Sequence, residues 1–424
     1  MTQALIVLMA AQKMGRVELG AQNRMQFVYD DEWRTTPGAY PLSLSMPLIA
    51  QVHPHAAIES FLWGLLPDNE FVLTRWAQRF QVSARNVFAL ISHVGEDCAG
   101  AAQFIRPEFL DDVMAENDDT IEWLDEASIA QRLRDLRVDH SAWRSPRDTG
   151  QFSLAGAQPK TALLWEDGQW GIPSGRIPTT HILKPPTGEF DGHAENELFC
   201  LMLARELGLP AANATVAYFE DEVAIVIERY DRMRINAELF RVHQEDVCQA
   251  LGLPPTRKYE NEKGPGVKAI AGLIRNTSAA SEEDVRTFIG AITLNWLIAG
   301  TDAHAKNYSL LIGNGGAARL APLYDVASAL PYDRFDPLKL KLAMKLGGEY
   351  KLRDISMRNW RKLANETHLA EELVIARVRQ MAERMPDAVM TVKHAVREAG
   401  FAHPLVNKLT KVLIQRGNAL RKAI

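Results

Sequence analysis

The sequence predicts an α+β protein. Three observations carry that expectation: short apolar runs punctuated by turn residues through the first hundred positions, a strand-rich stretch from about 150 to 230 holding one strong helix, and mostly helical patterns beyond Leu239. Near the N-terminus, ALIVLMAA has no positive segment before it and falls short of the roughly 18 to 20 apolar residues of a membrane span, so it reads as an opening strand. AYPLSLSMPL adds partial alternation and Phe71 to Phe80 a helical spacing, which makes residues 1–105 a small α+β domain. Between Arg106 and Glu126 nine acidic residues face one basic residue, the composition of a solvated connection, and 106–149 reads as an acidic link. Residues 150–230 read as a β-rich lobe whose helix, ENELFCLMLAREL, is stopped by Gly208 and Pro210. The remainder, 231–424, reads as a helical lobe interrupted by a hairpin at 308–323. There is no internal repeat and no low-complexity tract.

A chain of 424 residues, 47% hydrophobic and 24% charged, has an ordinary globular composition and can bury a large core. Cys98, Cys200 and Cys248 are far apart and form no CxxC pair, which argues against a disulfide framework or thiolate zinc site and fits a reducing, cytoplasmic setting. The net charge of −5 gives no general pull toward nucleic acid, so any such contact must come from a local patch.

The polar cluster TDAHAKN, 301–307, is followed by YSLLI, GNGG and AARLAPLYD, two short apolar segments around an Asn/Gly-rich turn. With the turn centred between Asn314 and Gly315, paired positions sum to about 629. Asn307 then faces Pro322, and Asp325 returns near His304, toward Asp302 and Asn307. Two carboxylates and an amide oxygen are hard ligands suited to Mg²⁺ and a bound polyphosphate. Protein kinases use this spacing: an Asp accepts the substrate hydroxyl proton, an Asn five residues on binds metal, and a later Asp holds Mg²⁺. The same residues also suit ordinary caps and turns, or a transition-metal hydrolase site made of Asp302, His304 and Asp325. No second metal-ligand cluster in the chain supports that last reading.

Upstream, PTTHILKPP sets Lys184 at the end of an apolar run, where a kinase strand presents its phosphate-pairing lysine. Glu195 and Glu197 lie in the first turn of the next helix, and either can pair with that lysine or simply complement the helix dipole. SLAGAQPK, 153–160, offers small residues that let backbone NH groups approach phosphate, with little side-chain anchorage. It does not match GxxxxGK[ST], which excludes a P-loop NTPase. VAIVIERYDR ends in a polar turn at Glu228 to Tyr230, where a kinase passes from small to large lobe and offers backbone groups to adenine; alone it is also a plain strand end.

Taken jointly, SLAGAQPKTALL, PTTHILK, ERYDR, QEDVCQALGLPPTRKYE, GTDAHAKN and PLYDVASA resemble the HipA family, serine/threonine kinase toxins of bacterial type II toxin-antitoxin systems. PLSLSMPL followed by LLPDN resembles that family's small first domain, so the likeness covers nearly the whole chain. The resemblance implies an atypical, bilobal protein-kinase fold with ATP and Mg²⁺ between a β-rich and a helical lobe. Carried over position by position, it implies Asp302 as catalytic base, Asn307 and Asp325 as Mg²⁺ ligands and Lys184 as the phosphate-pairing lysine. It favours Glu197 as the helix glutamate, because the family's Asn-Glu pair aligns with Asn196 and Glu197. Ala155, Gly156, Ala157, Gln158 and Lys160 would cover the phosphates and the backbone at Glu228 and Tyr230 would hold adenine, with His304, Lys306 and Tyr324 completing the nucleotide-binding set. Ser153 matches the family's autophosphorylated serine. Pro159 departs from the pattern, standing where an acidic residue is expected, and its fixed φ stiffens the loop.

Family members phosphorylate a protein, in known cases an aminoacyl-tRNA synthetase, and so halt translation. Their usual partner is a small helix-turn-helix antitoxin, HipB-like, that binds operator DNA. From Lys393 to Ile424 seven Lys/Arg stand against one Glu, with apolar residues at 405, 409, 412 and 413, a basic amphipathic helix that suits either DNA phosphates or a solvated face. Two other functions share part of this evidence: a small-molecule kinase, which has the Asp/Asn spacing but no need of SLAGAQPK, and a non-enzymatic nucleotide-sensing corepressor acting with an antitoxin. ATP consumption with a synthetase present separates the protein kinase from the corepressor.

Overall fold

The opening run ALIVLM is apolar at every position because its strand, Gln3–Met9, has a core on each face. Leu5, Val7 and Met9 enter a large cluster with Phe27, Tyr29, Phe61 and Leu62, while Ile6 and Leu8 pack with Ile105 and Val113. The strand lies in a five-stranded antiparallel sheet ordered Val52–His53, Met25–Tyr29, Gln12–Leu19, Gln3–Met9, Ala102–Ile105. The computed structural model describes residues 3–115, 119–143, 152–156, 158–186, 190–236, 238–400 and 403–423.

Contacts divide the chain into two units, one of Met1–Pro185, Tyr218–Pro255 and Leu310–Ala318, the other of Pro186–Ala217, Thr256–Ser309 and Arg319–Ile424. A second, six-stranded sheet runs Ala214–Phe219, Glu222–Glu228, His181–Lys184, Thr161–Glu166, Gln169–Pro173, Ile121–Leu124. Helix Glu70–Phe80, begun by the Asn69 side chain accepting from the Phe71 amide, stands where the helical spacing at 71–80 placed one.

The described residues of the segment read as an acidic link are structured. Val113 of helix Leu110–Met114 closes the back of the first sheet, and Ile121–Leu124 adds an antiparallel edge to the second. Helix Glu126–Val138 buries Ile129, Leu133 and Leu136 while Arg134 and Arg137 reach Glu220, Asp221 and Glu222. Charge count reported the solvent face and hid a sparse apolar stripe of helical period. AYPLSLSMPL, despite its alternation, forms no strand: the Tyr29 phenol holds it, accepting from the Leu42 amide and donating to the Met46 carbonyl. The expected helical lobe also contains strands, including the hairpin Arg232–Ile235 with Glu238–Arg241 and the strand His243–Asp246.

In the second unit, helices His193–Glu206, Ser281–Ile298, Glu371–Glu398 and Pro404–Ala423 pack on one another. The hairpin expected at 308–323 is formed by Ser309–Ile312 and Ala318–Leu320. Its Gly313 amide donates to Ala317 and its Ala321 amide to Ser309, so paired positions sum to 630 rather than 629. The turn centres on Gly315, whose φ of +70° takes the left-handed conformation that the tip requires.

Candidate functional site

The segment that opens the site is launched from the end of helix Ser281–Ile298. Ala299 turns left-handed, the Gly300 amide caps back on the Asn295 carbonyl, and Arg416 of the C-terminal helix donates to the Trp296 and Leu297 carbonyls. One cation of the basic C-terminal stretch therefore caps a helix, and another, Lys408, pairs with Asp333. Asp302 emerges exposed, its carbonyl accepting the His304 amide, and a 3₁₀ turn Ala305–Asn307 follows. His304, Lys306 and Asn307 are buried.

The hairpin then returns Tyr324, whose phenol donates to the Lys306 carbonyl at 2.7 Å and lies 2.6 Å from the Ser309 hydroxyl. Asp325 follows, exposed and at φ +57°, a conformation that costs an ordinary residue energy and that recurs at functional sites. Beyond it, Ser328 donates its hydroxyl to the Ile298 carbonyl and exchanges two hydrogen bonds with the Asn196 side chain. The Asn-Glu pair of the sequence is thus split by role, with Asn196 fastening helix His193–Glu206 to the Asp325 segment and Glu197 buried beside it. Glu195 is also buried, and its Oε2 finds no hydrogen-bond partner among the described residues.

Asn307 Oδ1 is buried and likewise has no hydrogen-bond partner among the described residues. A buried amide oxygen left unpaired costs about 1–3 kcal/mol, and such an oxygen suits a hard cation. The donor set, amide oxygen and carboxylate, fits Mg²⁺. Among the described residues no three His, Cys, Asp or Glu converge on a metal position, so Asp302, His304 and Asp325 do not form the transition-metal cluster.

The first unit carries the other predicted residues. Lys184 is buried at the end of strand His181–Lys184, opposite Ile225. The loop after Ser153 is better anchored than its small residues suggest. The Ser153 hydroxyl donates to the Leu65 carbonyl at 2.8 Å and its amide to the Asp97 carbonyl at 2.9 Å. Gly156 accepts from the Asp68 amide, and Lys160 Nζ donates to the Ala155 carbonyl at 2.6 Å. Gly156 sits at φ +103°, and a Cβ there would come within 2.7 Å of that ammonium. Gln158 is half-buried, while Ala157 lies outside the described residues. Glu228 is exposed, and the Tyr230 phenol donates to Gln244 Oε1.

Around that turn is a set of charges the sequence reading missed. Asp97 receives Arg232 at 2.8 Å and Arg229 and Arg241 at 3.2 Å, together with the Thr179 hydroxyl at 2.7 Å. Asp231 pairs with Arg229 at 2.9 Å and accepts the Gly100 amide at 2.7 Å. Burial by itself would raise the Asp97 carboxyl, but Arg232, Arg229, Arg241 and Thr179 bring it down to about 2. ERYDR signalled a strand end; nothing local marked Asp97, whose arginine partners lie more than a hundred residues away.

An α+β fold carrying an exposed Asp, a buried Asn five residues on and an Asp returned by a hairpin is of the protein-kinase type. Residues 5–105 match the HipA N-terminal domain and residues 152–389 the HipA-like C-terminal domain. Over 405 residues the chain is 35% identical to the kinase-named protein Y4mE of Sinorhizobium fredii, covering 94% of each chain. Over 382 residues it is 30% identical to the serine/threonine-protein kinase toxin HipA of Shewanella oneidensis, covering 86% of this chain and 83% of that one. The Shewanella oneidensis HipA solved with HipB and operator DNA has the same fold, with a TM-score of 0.82 at 24% identity over 99% of this chain and 100% of that chain. The chain belongs to the HipA family. Among the described residues no helix is long and apolar enough to cross a membrane.

Proposed function

We propose that the protein is a Mg²⁺/ATP-dependent serine/threonine protein kinase acting as the toxin of a type II toxin-antitoxin pair. The observation that carries the reading is Asn307 Oδ1, buried and unpaired among the described residues, in a segment whose Lys306 carbonyl accepts from Tyr324, the residue before Asp325, with Asp302 exposed at the head of the same segment. Asp302 takes the proton of the substrate hydroxyl as its oxygen bonds to the γ-phosphorus and the bond to ADP breaks. Asn307 and Asp325 hold Mg²⁺, which when bound neutralises charge on the phosphates. Lys184 pairs with phosphate, residues 155–160 cover it, and the backbone at Glu228 and Tyr230 takes adenine.

The relative from Shewanella oneidensis is named a serine/threonine kinase toxin, and its solved assembly includes HipB and operator DNA. These support a HipB-like helix-turn-helix antitoxin as partner here and, through it, contact with operator DNA. The substrate is a protein, with an aminoacyl-tRNA synthetase the first to test. Asp302→Asn keeps the side chain's shape and removes the base, so phosphoryl transfer should fall by about 10²- to 10⁴-fold with ATP still bound, and growth arrest on expression should vanish. An undiminished rate would refute the assignment.

A further inference from the structure

The sequence motif PPTRKYE contributes a residue that the roles above leave unused. Tyr259 donates its phenol hydroxyl to Asp302 Oδ1 at 2.7 Å, and its ring meets the His304 ring edge-on with centroids 4.9 Å apart. The neighbouring Lys258 carbonyl accepts the Ala305 amide at 3.1 Å, so two consecutive residues brace the Asp302–Asn307 segment.

Tyr259 itself is held firmly. The Glu262 and Gly264 amides both donate to its carbonyl, and Glu260 accepts the Lys345 amide at 2.6 Å. Gly264 has no room for a side chain, since a Cβ would lie 2.2 Å from the Arg257 carbonyl oxygen. A tyrosine so fixed restricts the rotation of an otherwise exposed carboxylate.

We propose that Tyr259 is a positioning residue for phosphoryl transfer, its phenol occupying one oxygen of Asp302 so that the other faces the incoming substrate hydroxyl. The inference rests on reading Asp302 as the base. In the transfer step the substrate O–H proton passes to the free Asp302 oxygen, the new O–P bond forms and the bond to ADP breaks; Tyr259 keeps its proton throughout. Orientation of this kind lowers the barrier without adding a contact to the nucleotide.

The test is a double-mutant cycle on the full chain, using γ-labelled Mg·ATP. Phosphate transferred to protein, Mg·ATP affinity and thermal melting are measured for wild type, Tyr259→Phe, Asp302→Asn and the double variant. A hydrogen bond to a charged group corresponds to a factor of about ten to a hundred. Tyr259→Phe should lose transfer by that factor with Mg·ATP affinity unchanged, and the double variant should transfer no more slowly than Asp302→Asn alone. A general folding defect would instead multiply through both backgrounds and overturn the proposal. Transfer that is unchanged or faster in Tyr259→Phe, or a loss that appears in Mg·ATP affinity, overturns it as well. If wild type transfers nothing, or Asp302→Asn transfers as fast as wild type, the kinase reading itself fails and takes this one with it. Those two results are distinct from a silent Tyr259→Phe beside an inactive Asp302→Asn.

Discussion

The turn at 229–232 and the segment at 302–325 both concentrate charged and polar groups, yet their chemistry is opposite. At the turn, Asp97 and Asp231 are buried and every approach is filled by Arg229, Arg232, Arg241, Thr179 or a backbone amide. At the segment, Asp302 and Asp325 are exposed, Asp325 has left-handed backbone, and Asn307 Oδ1 is buried and unpaired among the described residues. Charge that the protein buries and neutralises from within serves structure, whereas carboxylates left exposed beside a buried, unpaired amide oxygen in the same segment suit a cation and polyphosphate. The comparison teaches that buried charge alone does not locate a site; the state of its pairing does.

The largest effect should come from breaking the filled cluster. Asp231→Ala takes from the buried Arg229 and Arg232 one of the two carboxylates they share, leaving Asp97 to serve both, and denaturant unfolding should show a loss of about 3–5 kcal/mol. Asp325→Asn should scarcely move that unfolding curve, since the side chain is exposed.

Ser153 borders the filled cluster, because its amide donates to the Asp97 carbonyl, and its loop is the one proposed to cover phosphate. Phosphorylation would add about −1.5 to −2 charges at neutral pH, next to the Leu65 carbonyl in a fully buried position. The serine cannot stay there, so the loop should leave its berth and Mg·ATP affinity should fall by at least about tenfold. Mass spectrometry should find phosphate on Ser153 at a rate rising with enzyme concentration, and none in Asp302→Asn. Tight ATP binding by fully phosphorylated protein would sink this off switch while leaving the kinase reading intact.

Next in size, Asp325→Asn should raise the Mg²⁺ concentration needed for half-maximal transfer by about tenfold, whereas Asp302→Asn should not shift the metal dependence of ATP binding to that degree. Superimposable titrations for wild type and the Asp325 variant would count against the hairpin's role in holding metal.

The most gradual effect, spread over several pH units, probes an intermediate case. Glu245 is buried with the Ser43 hydroxyl at 2.5 Å and the Leu44 amide at 2.7 Å as donors, and burial pushes its carboxyl up to about 8. Because the folded value exceeds the ordinary 4.5, the folded state holds the extra proton. The resulting stability is full below pH 4.5 and lost as pH rises toward 8. Glu245→Gln removes that slope, so the variant should gain on wild type from pH 5 to 8 by up to about 1.4 kcal/mol per pH unit in urea unfolding. Asp97 titrates in the other direction: held at about 2 against an ordinary 3.8, it contributes stability above pH 3.8 that is lost as pH falls toward 2. Parallel pH profiles for wild type and Glu245→Gln would show that Glu245 is ionised in the fold.

What the sequence determined by itself was whatever its own spacing encodes. Helix His193–Glu206, the opening strand and the hairpin that returns Asp325 could be read from period and turn chemistry, because the interacting residues lie within a few positions of one another. The Asp, Asn and Asp of the candidate site were legible for the same reason, to within one residue of hairpin register. Only the tertiary structure decided that Asp97 joins Arg229 across 132 positions, that Ser153 is pinned on Leu65 across 88, and that Tyr259 holds Asp302 across 43. It also decided that an acidic stretch supplies a sheet edge, since Ile121–Leu124 finds its partner only at Gln169–Pro173. Such pairings have no period to announce them; each depends on where the chain returns, and that is set by the summed burial of apolar residues far outside any local motif.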